Sequence, residues 1–187
     1  MTTTNKKECR MDMKDEGSII TLLRDIVNLI ELIAINFSNK SHIYLIEHLI
    51  LSMRELSFFA KKYSNEKNDE DMQIKIDNIK KIRDAICHRS SDNNWLGNSI
   101  KIQGCLLFHH NIDDVEIQYG ETRIYLISDI IDLFSKFKKI FFDSSSQYTI
   151  HGSLYGHEIE ETKFKNSIEK LIEAIKYEIS NTQKNTY

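Results

Sequence analysis

Proline is absent from the 187 residues, and the six glycines, Gly17, Gly97, Gly104, Gly120, Gly152 and Gly156, all avoid the stretch 18–96. Glycine and proline are the strongest local punctuation of a backbone, so long helices are expected where both are missing. Cysteine is scarce as well. Cys9, Cys87 and Cys105 are odd in number, far apart and without a CxxC pair, which excludes a disulfide framework or a zinc knuckle and predicts reduced thiols. No apolar run approaches the roughly 18 to 20 residues needed to span a bilayer. The most apolar segment, 26–37, is interrupted by Asn28 and Glu31. The N-terminal MTTTNKKECRMDMKDEGS has no apolar centre, so it reads neither as a secretory signal nor as an anchor. A soluble, cytoplasmic protein without membrane contact is expected.

An excess of positive charge is also missing. With 25 Lys+Arg against 28 Asp+Glu the net charge is −3 and the pI about 6.2, so the chain as a whole is no basic coat for nucleic acid and any attraction to phosphate must be local. The seven histidines, among them His109, His110, His151 and His157, fall in no ligand spacing with a carboxylate, and neither a metal nor a cofactor is expected. What the chain does have is a hydrophobic content of 41%, enough for one well-filled core. A single domain over residues 18–180 is expected between flexible tails, 1–17 and 181–187.

The apolar residues recur at helical intervals. Ile19, Leu22, Leu23, Ile26, Ile30, Ile33 and Phe37 form one stripe; Ile46, Leu49, Ile50, Met53, Leu56, Ala60 and Tyr63 form a second, ending on Lys61 and Lys62 beside the negative end of the helix dipole. After the polar SNEKN, Asp69, Glu70 and Asp71 suit a helix start, followed by Met72, Ile76, Ile79, Ile82 and Ile86. Between Ser90 and Leu126 the pattern is β-branched and aromatic near glycines, which predicts a small hairpin. Ser128 or Asp129 can cap a fourth helix with Ile130, Leu133, Phe134, Phe137, Ile140 and Phe141 on its apolar side. DSSSQYTIHGSLYGHE reads as a loop, and Phe164, Ile168, Leu171, Ile172, Ile175 and Ile179 as the stripe of a last helix. The expectation is an all-α bundle of about five helices, with a small β-hairpin-like insertion between the third and fourth.

The third helix ends in KIRDAICHRS, residues 81–90. Arg83 and His88 are five apart, roughly 140° around a straight helix, whereas Asp84 and His88 are four apart and share a face. That spacing lets the Asp84 carboxylate accept from one ring nitrogen of His88, fixing its tautomer and raising the proton affinity of the other. From 75 to 89 the five basic residues Lys75, Lys80, Lys81, Arg83 and Arg89 face two aspartates, Asp77 and Asp84, a local net of +3 in a chain of −3. This is a modest phosphate-attracting patch, with Lys80, Lys81 and Arg89 as candidate substrate contacts.

At RDAICH the sequence resembles the HEPN superfamily (higher eukaryotes and prokaryotes nucleotide-binding), whose ribonuclease members carry an arginine, four to six residues and then a histidine, often with Asn, Asp or His directly after the arginine. The resemblance covers six residues in motif and most of 18–180 in architecture; the hairpin region departs from the minimal family core. It implies a metal-independent endoribonuclease acting on single-stranded RNA or tRNA loops, of a toxin or phage-defence type. It further implies a homodimer whose two motifs share one cleft, held in check by an antitoxin or other regulatory protein. His88 is then the general acid or base, Arg83 the clamp for phosphate and transition state, and Asp84 the group that orients His88 or shapes the cleft.

Other groups have plainer readings. Arg83 and Asp84 can also be read as pairing with neighbours on a solvated face, with His88 a helix-end residue on the last carbonyls; Arg54 and Glu55 fit ordinary surface charge, Glu47 and His48 fit core or interface packing, and a Cys87–His88 nucleophile pair fails because adjacent helical positions point about 100° apart. FSKFKKIFF could stack bases, but its periodic phenylalanines suit a core and its lysines a solvated face. A second functional class stays open: a HEPN-like helical module that dimerises or docks a partner without cutting anything.

Overall fold

A computed structural model describes residues 11–38, 41–63, 69–87, 107–111, 113–142 and 154–184. The chain runs α1 (Met13–Ile35), α2 (His42–Tyr63), α3 (Glu70–Cys87), β1 (Leu107–Asn111), β2 (Asp114–Tyr119), β3 (Thr122–Tyr125), α4 (Asp132–Phe142) and α5 (Leu154–Lys184). A single π-helical turn, Leu126–Ile131, leads directly into α4. Helix α1 packs between α2 and α5, α2 also meets α3 and α4, and α3 flanks β2 and β3.

The stripes read from the sequence are the faces that meet. Ile19, Ile26, Ile30 and Ile33 of α1, Ile46, Leu49, Ile50, Met53 and Leu56 of α2, and Ile79 and Ile82 of α3 are wholly buried. Phe134, Phe137 and Phe141 of α4 and Leu171 and Ile175 of α5 join the same cluster. Phe37 lies beyond the end of α1 yet stays in the core, its ring stacked on His42 at 4.8 Å between centroids. Ile86 is only half-buried, because the helix it belongs to is running out of core to face.

The expectation of an all-α fold is corrected: the described residues are mostly helical but include a three-stranded antiparallel sheet in the order β1-β2-β3. Strand β2 alternates, with Val115 and Ile117 buried and Glu116 and Gln118 turned outward, and Ile124 of β3 joins the buried side. Strands β2 and β3 are joined at Gly120 and Glu121 between the paired Tyr119 and Thr122. Gly120 has φ 57°, and among the described residues no non-glycine has positive φ, which suits a glycine-first two-residue hairpin turn. A hairpin alone would leave its apolar face wet. Val115, Ile117 and Ile124 instead belong to the common core.

Three boundaries also differ from the sequence reading. Helix α1 starts at Met13, inside the stretch read as tail. Asp12 caps it by accepting from Lys14 N at 2.9 Å, Met11 is buried, and Asp15 accepts hydrogen bonds from Lys62 and Tyr63 of α2. Helix α5 begins at Leu154, within the segment read as loop, and runs on to Lys184, within the segment read as tail. The start of the fourth helical segment is served by a residue outside it. Asp114 of β2 accepts from Ile127 N at 2.7 Å with Oδ1, and from Ser128 N and Ser128 Oγ at 2.9 Å with Oδ2. Asp129 contributes from within, taking Tyr125 N at 2.8 Å. Ser128 is therefore a donor to the cap rather than the cap itself. Asp69 does cap α3, accepting from Met72 N at 2.9 Å.

Candidate phosphate site at the end of α3

The last two turns of α3 are sorted by their buried side. Ile79, Ile82 and Ala85 face the core, so the 3.6-residue repeat leaves Lys80, Lys81, Arg83, Asp84 and Cys87 outside. Lys80, Lys81 and Cys87 are exposed, and Cys87 is a free thiol. Arg83 and Asp84 are each about one third exposed (31% and 33%), and Arg83 Nη1 lies 2.9 Å from Asp84 Oδ1. At that distance the two side chains form an ion pair between adjacent residues. The spacing gave Asp84 to His88, whereas the contact observed is of the plainer kind, a pairing with a neighbour on the outer face. His88 and Arg89 lie outside the described residues, as do Cys9, Cys105 and residues 97–106 of the insertion.

The basic patch is smaller than the sequence suggested, because Lys75 is used elsewhere. Its Nζ lies 2.9 Å from Asp132, 3.4 Å from Asp71 and 3.6 Å from Asp129, and donates to Ser128 O at 3.0 Å. Hydrogen bonding and Coulombic attraction from these carboxylates raise its pKa although partial burial works against the charge. Lys136 reaches the same cluster through Asp71 at 2.9 Å and Asp69 at 3.5 Å. This network fastens the first half of α3 to the start of α4 and leaves the second half of α3 to present Lys80, Lys81 and Arg83.

Helix α2 carries a further guanidinium, Arg54, read from the sequence as ordinary surface charge. Lys61 of α2 lies 3.8 Å from Asp77 of α3. Arg54 and Asp84 stand one heptad from that pair, in opposite directions along two helices joined by a short connection. Seven residues are nearly two full turns, so Arg54 shares a side of α2 with Lys61 and Asp84 shares a side of α3 with Asp77. Arg54 is half-buried, donates from Nη1 to Ser57 Oγ at 3.2 Å, and its buried Nε has no hydrogen-bond partner. Read as surface charge, Arg54 is in fact half-buried, on the side of α2 that carries Lys61. The shared side was present in the sequence, since Lys61 and Arg54 share one heptad position, but it has meaning only once α2 and α3 are known to be neighbours.

The remaining candidates resolve plainly. Phe134, Phe137 and Phe141 are wholly buried, so FSKFKKIFF is no stacking surface. Of its lysines, Lys136 belongs to the α3–α4 network, while Lys138 pairs with Glu161 and lies 4.4 Å from the Phe164 ring centroid. Glu55 and His48 are exposed, and Glu47 is half-buried. His109 is exposed on β1, opposite Glu116 in the sheet register. Among the described residues no group of three or more His, Cys, Asp or Glu is assembled to hold a metal ion, and no helix is long and apolar enough to cross a membrane.

Large apolar side chains stand exposed on the helices around the site. Ile74 of α3 is 60% exposed, and Tyr44 and Phe58 of α2 are 65% and 61% exposed. Ile74 and Lys81 are seven apart, as are Tyr44, Leu51 and Phe58 in turn, so each set runs along one side of its helix. Comparison with protein-family models, with curated proteins and with solved structures gave no match to this chain.

Proposed function

We propose that this protein is a metal-independent endoribonuclease of the HEPN type, cleaving single-stranded RNA or tRNA loops at the end of α3. The observation that carries the reading is the placement of Arg83, Lys80 and Lys81 outside the core at the end of α3, in the turns that immediately precede His88. RNA supplies its own nucleophile. A neutral His88 removes the proton of a 2′-OH, the 2′-oxygen forms a bond to phosphorus, and the bond from phosphorus to the 5′-oxygen breaks as a second proton donor protonates the leaving oxygen. The products are a 2′,3′-cyclic phosphate and a free 5′-OH. Arg83 holds the non-bridging oxygens and stabilises the charge that builds on them. Unstacked single strands can reach the in-line geometry this displacement needs, and DNA lacks the nucleophile.

A homodimer completes the chemistry, because each chain supplies one His88 and two roles need filling. A two-fold interface would present two copies of the same patch to each other. The exposed Ile74, Tyr44 and Phe58 supply apolar surface for such an interface. In a cell, a toxin or phage-defence effector of this kind would be restrained by an antitoxin or other regulatory protein.

The same apolar surface favours a second reading, a HEPN-like module that dimerises or docks a partner without cleaving RNA. The deciding experiment compares wild type with His88→Ala and Arg83→Ala on labelled total RNA and tRNA in EDTA, with analysis of product ends. Cleavage leaving 2′,3′-cyclic phosphate, lost in both folded variants, is the expected result. No cleavage by wild type, or equal cleavage by the variants, assigns the protein to the second reading.

A further inference from the structure

We propose that Asp84 is a built-in competitor of the substrate: its carboxylate occupies the guanidinium of Arg83 in the resting protein and is displaced by an RNA phosphate. It thereby sets which phosphates can bind. This assignment rests on the reading of the α3 end as a phosphodiester site and names how that site discriminates among anions.

Three observations meet here. The Arg83–Asp84 contact, at 2.9 Å, engages one arm of the guanidinium with an anion whose oxygen stands where a phosphate oxygen would bind. Both side chains are about one third exposed, so the bond forms in partly solvated surroundings and is weak enough to exchange. Cations outnumber Asp84 on this stretch: Lys80, Lys81 and Arg83 all stand outside the core on the last turns of α3, and Asp84 is the one carboxylate among residues 80–87. A single anion on an adjacent residue leaves such a cluster with an unmet attraction for a polyanion.

The consequence is selection by valence. A carboxylate attached one residue away competes at an effective concentration set by its tether, in the millimolar range or above. A free orthophosphate or a mononucleotide must displace it with one contact. A strand of RNA displaces it while neighbouring phosphates engage Lys80 and Lys81, so the loss of the Arg83–Asp84 bond is shared among several new contacts. Asp84 therefore excludes small phosphates and admits chains. This differs from the role expected from spacing alone, in which Asp84 aids catalysis by orienting His88, and the two roles predict opposite signs.

The test is binding of a fluorescent, fully 2′-O-methylated RNA oligonucleotide, which cannot be cleaved, to wild type, Asp84→Asn, Arg83→Gln and the double variant. Salt is varied and inorganic phosphate serves as competitor. Asp84→Asn is expected to bind the oligonucleotide roughly two- to five-fold more tightly, the range of a partly exposed ion pair. Its log K against log salt should steepen by about 0.7, one added phosphate contact on a single strand. Phosphate should displace the oligonucleotide at lower concentration from Asp84→Asn than from wild type. Asn keeps the size of the side chain, and the gain must vanish in the Arg83→Gln background. Unchanged or weaker binding by Asp84→Asn, absence of oligonucleotide binding in every form, or a gain that survives Arg83→Gln would overturn the proposal. Because no step of the assay requires cleavage, a failure of the ribonuclease reading shows separately, as intact RNA in the cleavage experiment.

Discussion

Removing the Asp114 side chain tests whether a strand residue governs the start of the fourth helical segment. The first N–H groups of a helix have no partner within it. Here two of them, Ile127 N and Ser128 N, together with Ser128 Oγ, donate to one carboxylate at 2.7 to 2.9 Å. The carboxylate also sits at the positive end of the helix dipole. Loss of a capping side chain costs about 1 kcal/mol, with a range of about 0.5 to 2, and bonds to a charged acceptor lie above the average for neutral ones. With two backbone donors and a hydroxyl on a half-buried acceptor, Asp114→Ala should cost about 2 kcal/mol. For a chain of this size that lowers the melting temperature by about 4 to 8 °C. Asp114→Asn keeps one accepting oxygen and loses the charge, so it should fall between the two, near 1 kcal/mol. Urea unfolding followed by circular dichroism gives both values. A cost for Asp114→Ala under about 0.5 kcal/mol, the range of an ordinary surface change, would refute the assignment of this residue as the cap.

Two further outcomes are expected. Gly17 lies inside α1, exposed, and a Cβ built on it meets nothing within 4 Å; Gly17→Ala should therefore raise stability by about 0.5 to 1 kcal/mol, read as a higher urea midpoint, and a lower midpoint would contradict the helical placement of residues 13–17. Asp15 and Asp71 have pKa values lowered, chiefly by hydrogen bonds from Lys62 and from Lys136 respectively. A group whose pKa is lower folded than unfolded stabilises above its unfolded value, about 3.9 for aspartate, and loses that contribution as pH falls through the folded value. Stability should thus drop below about pH 4, and the drop should shrink in Asp15→Asn and Asp71→Asn; identical acid profiles for all three proteins would count against both ion pairs.

What the sequence made legible was whatever repeats along one element. The stripes of α1, α2 and α3 became the buried faces because a helix with one apolar side has a single way to hide it. Lys61 and Lys62 at the end of α2, and Asp69 at the start of α3, were legible for the same local reason. The cap at Asp114 was not, since it acts on residues 127 and 128 from another element. Strands of four to six residues carry too few alternations to separate a three-stranded sheet from a hairpin. The candidate site divides along the same line. Arg83, Asp84, Lys80 and Lys81 were found from spacing on one helix, while the diversion of Lys75 to Asp132 of α4 depends on which helices are neighbours. The Arg83–Asp84 bond was hidden in a different way: adjacent helical positions diverge at Cβ, and only long side chains bring their ends back together.

The pairing of α1 with α5 bears on the order in which the molecule can be assembled. Lys163 donates to Asn28, 135 positions away along the chain, and also meets Glu31, and Phe164, Leu171 and Ile175 join the core to which α1 contributes. Contacts so distant along the chain form only after the entropy of closing a very long loop has been met. Helices α1, α2 and α3 can associate as their residues emerge from the ribosome, but the side of α1 that receives α5 stays uncovered until the last helix has been synthesised. The core around α1 thus closes only after α5 has been synthesised, long after the helices it packs on.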